Sequence, residues 1–144
     1  MKILFVCTGN TCRSPMAQAM AGALFSGVEV LSAGVFAAAG APASPHAVAA
    51  MAERRLALSS HAAQQVTAAL LATCDLVLTL GREHKRLVLQ QFPHGNIFTL
   101  GEFAGTGADV ADPFGGSLHT YRACAEEIFG LLEKCAGQIQ GAKP

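Results

Sequence analysis

Short apolar runs alternate along the chain with segments whose apolar residues recur at helical spacing. The apolar runs predict short β-strands at residues 2–6, 28–31, 76–80 and 97–100. Helices are predicted at residues 15–25, 45–55, 67–73, 82–91 and from about 117 onward. Two serine-proline pairs, Ser14-Pro15 and Ser44-Pro45, predict an N-cap and a first-turn proline for the first two helices.

This alternation favours one α/β domain over residues 1–144, with a parallel sheet in the middle layer and helices on both faces. No repeat or change of composition marks a boundary, and the low-complexity residues 37–44 predict a surface loop. Ligands bind beyond the carboxyl ends of parallel strands. The loop after the first strand is therefore the expected place for chemistry.

Composition narrows the class of protein. Of 144 residues, 51% are hydrophobic and 14% are charged, which is enough apolar material for a core. Ten basic residues balance ten acidic ones without a basic run, so neither nucleic acid nor a membrane surface is an expected partner. The first apolar run is too short for a signal segment, which predicts a cytoplasmic protein.

The cysteines and most histidines show no pattern typical of ligand sets. Five cysteines without CxxC pairs argue against a disulfide framework or a structural zinc site, and we expect no metal or other cofactor. Three cysteines on apolar stretches are expected in the core: Cys74, Cys124 and Cys135. Four histidines are expected to be structural or solvated: His46, His84, His94 and His119.

The loop after the first strand places a cysteine and an arginine six positions apart, in the string CTGNTCRS at residues 7–14. Successive N–H groups in a tight loop form an anion nest, and Gly9 and Asn10 are the candidates for the positive φ that such a turn requires. The following helix directs its positive end to the same place, and Arg13 adds a planar cationic fork. The pattern predicts a site for a tetrahedral oxyanion such as phosphate.

Cys7 has two interpretations. Helix N-termini and cations favour a thiolate, which would make this side chain a nucleophile aimed at phosphorus. An isolated Cys-x5-Arg also arises by chance, and buried cysteines are commonly small core residues. The preceding strand, the internal Gly9 and Asn10, and the Ser14-Pro15 helix start favour the catalytic interpretation.

A leaving group on phosphorus needs a proton, which a carboxylic acid above the loop would supply. Of the three aspartates, Asp75 begins a predicted buried strand, whereas Asp109 and Asp112 lie in a glycine-rich loop able to fold over the site. Asp112 is favoured because Pro113 stiffens its backbone and Phe114 offers an aromatic wall. A solvated turn aspartate is the alternative for Asp112.

The string CTGNTCRSP after an N-terminal strand resembles the signature of the low molecular weight protein tyrosine phosphatase family. Further landmarks follow in the same order: Ser32-Ala33-Gly34, His61 in SSHAAQQV, the strand at 75–80, and Asp112-Pro113-Phe114. The resemblance covers nearly the full length. It implies a four-stranded parallel sheet, no metal and a phosphocysteine intermediate, with Cys7 as nucleophile, Arg13 as phosphate ligand and Asp112 as general acid.

The resemblance also implies supporting roles around a phosphate-binding loop that includes Thr8, Gly9, Asn10, Thr11, Cys12 and Ser14. Asn10 would lock the loop by hydrogen bonds, Ser14 would donate its hydroxyl to the Cys7 thiolate, and His61 would bond to Asn10. Cys12 has two interpretations, a redox partner that forms a disulfide with Cys7 or a residue packed beneath the nest.

Thr11 bears on the substrate, since tyrosine-directed relatives typically carry a branched aliphatic residue two positions before the arginine. The strings CTGNTCRSPMA, SAGVFA, SPHAV and DPFGGS are similar to the bacterial protein arginine phosphatase branch, in which this threonine distinguishes phosphoarginine from phosphotyrosine. The resemblance implies phosphorylated proteins as substrates and inorganic phosphate as product. Phe36 and Phe114 are candidate walls for the substrate side chain.

Three alternatives stay open. A phosphotyrosine phosphatase follows if Thr11 is neutral drift, whereas a cysteine phosphocarrier would need neither Asp112 nor the arginine fork. A non-catalytic phosphate-binding module is disfavoured by the intact nucleophile. Thioredoxin-linked arsenate reductases share a CTGNxCRS loop, but their resolving cysteines are missing here, where the chain has Gly81 and Val88.

Overall fold

The computed structural model describes residues 1–140, which fold around a four-stranded parallel sheet in the order β2-β1-β3-β4. The strands are β1 (Lys2–Cys7), β2 (Glu29–Gly34), β3 (Leu76–Thr79) and β4 (Ile97–Thr99). The helices are α1 (Arg13–Leu24), α2 (Pro45–Ala52), α3 (Ala68–Ala72), α4 (Arg82–Gln91), α5 (Leu100–Ala104) and α6 (Leu118–Gln140). The predicted fold class is confirmed.

Two hydrophobic clusters cover the two faces of the sheet, because side chains alternate along each strand. Ile3, Phe5 and Cys7 of β1 join the larger cluster, which contains residues from α1, α2 and α6. Leu4 and Val6 of the same strand join the smaller cluster on the opposite face. Cys7 therefore ends the central strand on the face that carries α1 and α6. No helix within residues 1–140 is both long enough and apolar enough to cross a membrane.

The first helix begins one residue before the predicted cap. Ser14 was expected as its N-cap, but α1 starts at Arg13 and Cys12 occupies the N-cap position without a side-chain capping bond. The Ser14 hydroxyl instead lies against Cys7 and Asn10. Partners within the preceding loop thus replace the capping bond, and the N-terminus of α1 has no side-chain cap.

Two further boundaries differ from the expected ones by three residues. Strand β2 continues through Ser32-Ala33-Gly34, which were expected after it, because these residues pair in parallel with the last three residues of β1. Helix α2 ends at Ala52 rather than at Arg55, whose backbone is left-handed with φ 61°. A left-handed residue cannot continue a right-handed helix.

Helix α5 was missed, since residues 97–100 were expected as a strand followed by loop. Thr99 and Glu102 form a reciprocal capping box, and Gly105 ends the helix in the left-handed conformation. The signal was present in the sequence as a threonine three positions before a glutamate. Because α5 directly follows β4, it begins at the carboxyl edge of the sheet.

The end of β2 lies against the phosphate-binding loop so closely that only glycine fits. A Cβ on Gly34 would stand 2.4 Å from the carbonyl oxygen of Thr8 and 3.0 Å from the backbone nitrogen of Asn10. The next two residues continue this contact, because Val35 N donates to Cys7 O at 3.0 Å and Phe36 N to Thr8 O at 2.9 Å. Strand β2 thus supports the loop from one side.

We expect Gly34→Ala to destabilise the protein by about 1–3 kcal/mol, since an added methyl group against rigid backbone forces the loop to shift. Gly130→Ala is the matched control, because Gly130 lies in α6 with open space around its Cα. We expect this substitution to leave the stability unchanged or to raise it by up to about 1 kcal/mol. Urea unfolding measures both. Equal stability of the two variants would contradict the close approach.

Candidate active site

Asn10 fixes the shape of the phosphate-binding loop. Its backbone is left-handed, with φ 58°, whereas Gly9, the other expected position, does not have a positive φ. The Asn10 side chain is fully buried. Asn10 Nδ2 donates to Ser14 Oγ at 2.9 Å, while Asn10 Oδ1 accepts from Gln64 N at 2.9 Å. His61 Nε2 donates to the Asn10 carbonyl at 2.7 Å. The loop is therefore tied both to α1 and to the segment around residues 61–64.

Cys7 is the last residue of β1 and is 2% exposed. Its Sγ lies 2.9 Å from Ser14 Oγ. Ser14 Oγ accepts a hydrogen bond from Asn10 Nδ2, and its own proton has two acceptors in reach, Cys7 Sγ at 2.9 Å and the carbonyl of Ala33 at 3.4 Å. A hydroxyl proton directed at sulfur stabilises a thiolate more than a neutral thiol.

Arg13 is buried at the start of α1, and its guanidinium lies between the loop and the segment of residues 110–112. Nη1 donates to the carbonyl of Val110 at 2.9 Å, and Nη2 lies 3.4 Å from Thr8 Oγ1 and 3.7 Å from Asp112 Oδ2. Arg13 Nε is buried and has no hydrogen-bond partner among residues 1–140. An oxyanion in the loop would supply acceptors for such donors.

Asp112 lies in the segment that crosses above the loop. Its side chain is 52% exposed, and Oδ1 accepts from Phe114 N at 3.1 Å. Val110 N donates to Leu80 O at 2.9 Å, and Asp109 accepts from Arg82 N and Arg82 Nε at 3.2 Å each. These bonds fasten the Asp112 segment to the end of β3 and the start of α4.

A cavity of about 150 Å³ brings most of the predicted site residues together. Its walls are formed by Cys7, Thr8, Gly9, Thr11, Cys12, Arg13, Asp112 and Phe114. Phe114 stands at this cavity with 77% exposure. Phe36, also expected as a wall, is 68% exposed and lines a separate hollow with Phe92. A groove of about 440 Å³ beside His61 is larger, but Cys7 and Arg13 do not line it, so chemistry rather than volume identifies the site.

Cys12 is buried, and polar groups of two other elements approach its thiol. Cys12 Sγ lies 3.4 Å from Ser44 Oγ and 3.3 Å from the Tyr121 hydroxyl. Burial, together with the neighbouring Cys12, raises the pKa of Tyr121 above its ordinary value. The Cys12 thiol therefore has polar neighbours other than Cys7, although Cys12 also lines the cavity, and a disulfide with Cys7 stays a prediction.

The other three cysteines are buried, as expected. Burial raises the pKa of Cys124 to about 12 and that of Cys135 to about 11, and it also raises the pKa of Cys74. These side chains remain thiols at neutral pH. None of them lines the cavity that Cys7 and Arg13 share.

His84, which was expected to be structural or solvated, contacts the phosphate-binding loop and was not predicted as a site residue. His84 lies in the first turn of α4 and is 5% exposed. Its Nε2 is 3.0 Å from Thr8 Oγ1 and 3.5 Å from Arg13 Nη2. The signal that would have found it is positional, because the helix after β3 starts at the carboxyl edge of the strand that adjoins β1.

A parallel sheet whose central strand ends in a cysteine, followed by an anion-binding loop and a buried arginine, is typical of a cysteine-dependent phosphatase. The model of the family described as low molecular weight phosphotyrosine protein phosphatase matches residues 2–143. The chain belongs to this family, and the predicted enzyme class, a phosphatase, is confirmed.

The proteins similar to this chain include some named arginine phosphatases and some named tyrosine phosphatases. A protein-arginine-phosphatase of Bacillus subtilis (strain 168) is 43% identical over 97% of this chain and 97% of its own length. A probable low molecular weight protein-tyrosine-phosphatase, EpsP, of Ralstonia solanacearum is 45% identical over 92% of this chain and 88% of its own length. A solved structure of the YwlE arginine phosphatase, a mutant with a phosphorylated active site serine, is 41% identical, with a TM-score of 0.95 over 99% of this chain and 98% of that one.

The environment of His84 predicts a pH-dependent stability. Burial, with the nearby Arg13 guanidinium, lowers the pKa of His84 from 6.5 to about 4. The unfolded chain therefore binds a proton more readily, so this contribution to stability is present above pH 6.5 and is lost as pH falls toward 4.

We expect the free energy of unfolding of the wild-type protein to fall by roughly 3 kcal/mol more than that of His84→Gln between pH 6.5 and 4. Chemical denaturation at a series of pH values measures this difference. The carboxylates titrate in both proteins, so their contribution to the pH dependence drops out of the comparison. Parallel curves for the two proteins would show that His84 titrates normally when folded.

Proposed function

We propose that the protein hydrolyses phosphoarginine side chains in proteins through a phosphocysteine intermediate. The observation that carries this proposal is the shared cavity, in which Cys7, Arg13 and Asp112 line one space of about 150 Å³, large enough for a phosphoryl group. The uncapped N-terminus of α1 adds partial positive charge to the same space. Nucleophile, anion ligand and acid are the groups that phosphoryl transfer through cysteine requires.

In the first step, the Cys7 thiolate attacks phosphorus and a sulfur–phosphorus bond forms as the phosphorus–nitrogen bond breaks. The bonding electron pair leaves with the guanidine nitrogen, which takes a proton from the carboxylic acid of Asp112. The 2.9 Å contact of Cys7 with Ser14 supports the thiolate before attack. A mutant of the similar YwlE enzyme carries its phosphoryl group on an active site serine.

In the second step, water attacks phosphorus and gives a proton to the Asp112 carboxylate. The sulfur–phosphorus bond breaks, inorganic phosphate leaves and the Cys7 thiolate is restored. The same Ser14 hydroxyl favours the departing thiolate, so both steps use the same hydrogen bond. One carboxyl group serves as acid and then as base.

Arg13 would hold the phosphoryl oxygens as their charge develops. Its planar fork fits two oxygens of a tetrahedral group better than an ammonium does. The hydrogen bond to the Val110 carbonyl restrains Arg13 Nη1. Arg13 Nη2 lies 3.7 Å from Asp112 Oδ2, which is far enough for a bound phosphate to compete with that carboxylate for Nη2. This arrangement keeps the acid near the leaving group.

Thr11 supports phosphoarginine as the substrate over phosphotyrosine. It lines the cavity and carries a hydroxyl where an aliphatic residue would present only methyl groups. Overall identity does not separate the two substrates, because relatives named for arginine and for tyrosine are 43% and 45% identical to this chain. Thr11, which lines the cavity, is therefore better evidence for the substrate than the overall sequence identity.

Phosphotyrosine is the second candidate substrate. The exposed Phe114 beside the cavity offers a flat surface to an aromatic ring as well as to a guanidine. Asp112 would then protonate a phenolate oxygen. Either substrate would be a phosphorylated protein, the product would be inorganic phosphate, and we propose a cytoplasmic location because the free cysteines suit a reducing compartment.

The role of Asp112 is tested by leaving-group dependence. We expect Asp112→Asn to slow hydrolysis of a poor leaving group, such as an alkyl phosphate, at least tenfold more than that of an activated aryl phosphate, which needs little protonation. Single-turnover kinetics measures formation of the phosphoenzyme, and Cys7→Ser supplies the baseline without turnover. Equal losses on both substrates would remove Asp112 as the acid.

The substrate assignment is tested at Thr11. We expect Thr11→Ile to lower the turnover of phosphoarginine relative to phosphotyrosine peptides by about tenfold or more, since a lost buried hydrogen bond costs about 1–3 kcal/mol. The measurement is the ratio of kcat/KM values, with Thr73→Ile, an exposed change at the end of α3, as control. A wild-type preference for phosphotyrosine would favour the second candidate.

A further inference from the structure

One side chain of α4 reaches the phosphate-binding machinery. His84 Nε2 stands 3.0 Å from Thr8 Oγ1, 76 positions away in sequence, and 3.5 Å from Arg13 Nη2. Arg13 Nη2 also lies 3.4 Å from the same Thr8 hydroxyl. The imidazole, the hydroxyl and the guanidinium therefore form a closed triangle of polar contacts at the cavity wall.

The triangle needs an uncharged imidazole. A doubly protonated ring would present an N–H to a guanidinium that has only N–H groups to offer, and the two cations would repel. The charged groups that face His84 are Arg13 from α1, Asp109 and Asp112 from the crossing segment, and Glu83 from its own helix. Burial outweighs the three carboxylates and keeps the ring neutral at ordinary pH.

We propose that His84 is a positioning residue, which aligns Arg13 for the phosphoryl group by accepting at Nε2 and by holding Thr8 in place. The inference deepens the proposed function, because it presumes that Arg13 binds the phosphoryl oxygens. It does not depend on whether the substrate is phosphoarginine or phosphotyrosine, since both present the same oxygens to Arg13.

A purely structural role explains His84 poorly. Its Nδ1 is buried, lies near Gly81 and has no hydrogen-bond partner among the residues that the structure describes. A buried polar atom without a partner destabilises the folded state, so an apolar side chain of similar size would pack there more favourably. The contact of His84 Nε2 with Arg13 Nη2 therefore explains a histidine at this position better than packing does.

The test compares His84→Leu with His84→Gln. We expect His84→Leu to be at least as stable as the wild type in urea unfolding at pH 7, yet to lose ten- to a hundredfold in kcat/KM on an activated aryl phosphate. Inhibition by inorganic phosphate should weaken at least tenfold, because the anion site itself is misaligned. His84→Gln, whose amide reaches the position of Nε2, should recover most of both.

His119→Gln is the matched control, because His119 is exposed on α6 and lies outside the site. A spectroscopic readout is independent of turnover: on addition of inorganic phosphate, the imidazole ¹⁵N resonances of His84 should shift while those of His119 do not.

The outcomes separate the two proposals. Parallel loss of stability and activity in His84→Leu with unchanged phosphate inhibition would overturn the positioning role, as would failure of His84→Gln to recover. If the wild type hydrolysed no phosphoprotein but bound phosphate in a way that depended on His84, the proposed function would fail while the positioning role stood.

Discussion

The left-handed turn at Asn10 is the constraint on which the site depends. Its buried amide satisfies Ser14 and the backbone of Gln64 at once, and its carbonyl accepts from His61. These bonds hold the loop in a shape that leaves its backbone N–H groups available to an anion instead of bonded to other backbone groups. Ser14 Oγ, which accepts from Asn10 Nδ2, lies 2.9 Å from Cys7 Sγ, so the surroundings of the nucleophile depend on the same turn.

The buried guanidinium of Arg13 has partners that leave it available to bind an anion. Its contacts are a backbone carbonyl, a hydroxyl, a neutral imidazole and a carboxylate 3.7 Å away, a distance too long for a strong bidentate pair. Full pairing with a carboxylate would stabilise the guanidinium but would compete with phosphate. The structure instead surrounds it with weaker partners, and a buried cation held this way destabilises the fold relative to an apolar core.

The supports of the site come from every side of the sheet edge. Gly34 of β2 lies against the loop from one side, and the start of α4 meets it from the other through His84. The Asp112 segment is fastened to that same start of α4 by Asp109 and Arg82. A displacement of α4 would therefore move both the phosphate ligand and the acid, which couples the two halves of the chemistry.

The sequence alone determined the strand-loop-helix unit at the N-terminus, the parallel α/β class and the cysteine-arginine spacing, because apolar periodicity and loop motifs act over a few residues. It also carried the capping box of α5, Thr99 with Glu102, although that signal was missed. The contact of Ser14 with Cys7, within one loop, was already implied by the family resemblance. Only the tertiary structure decided that His84 and the carbonyl of Val110 meet Arg13. These contacts join residues far apart in sequence and depend on β3 pairing beside β1, because local patterns do not encode strand order.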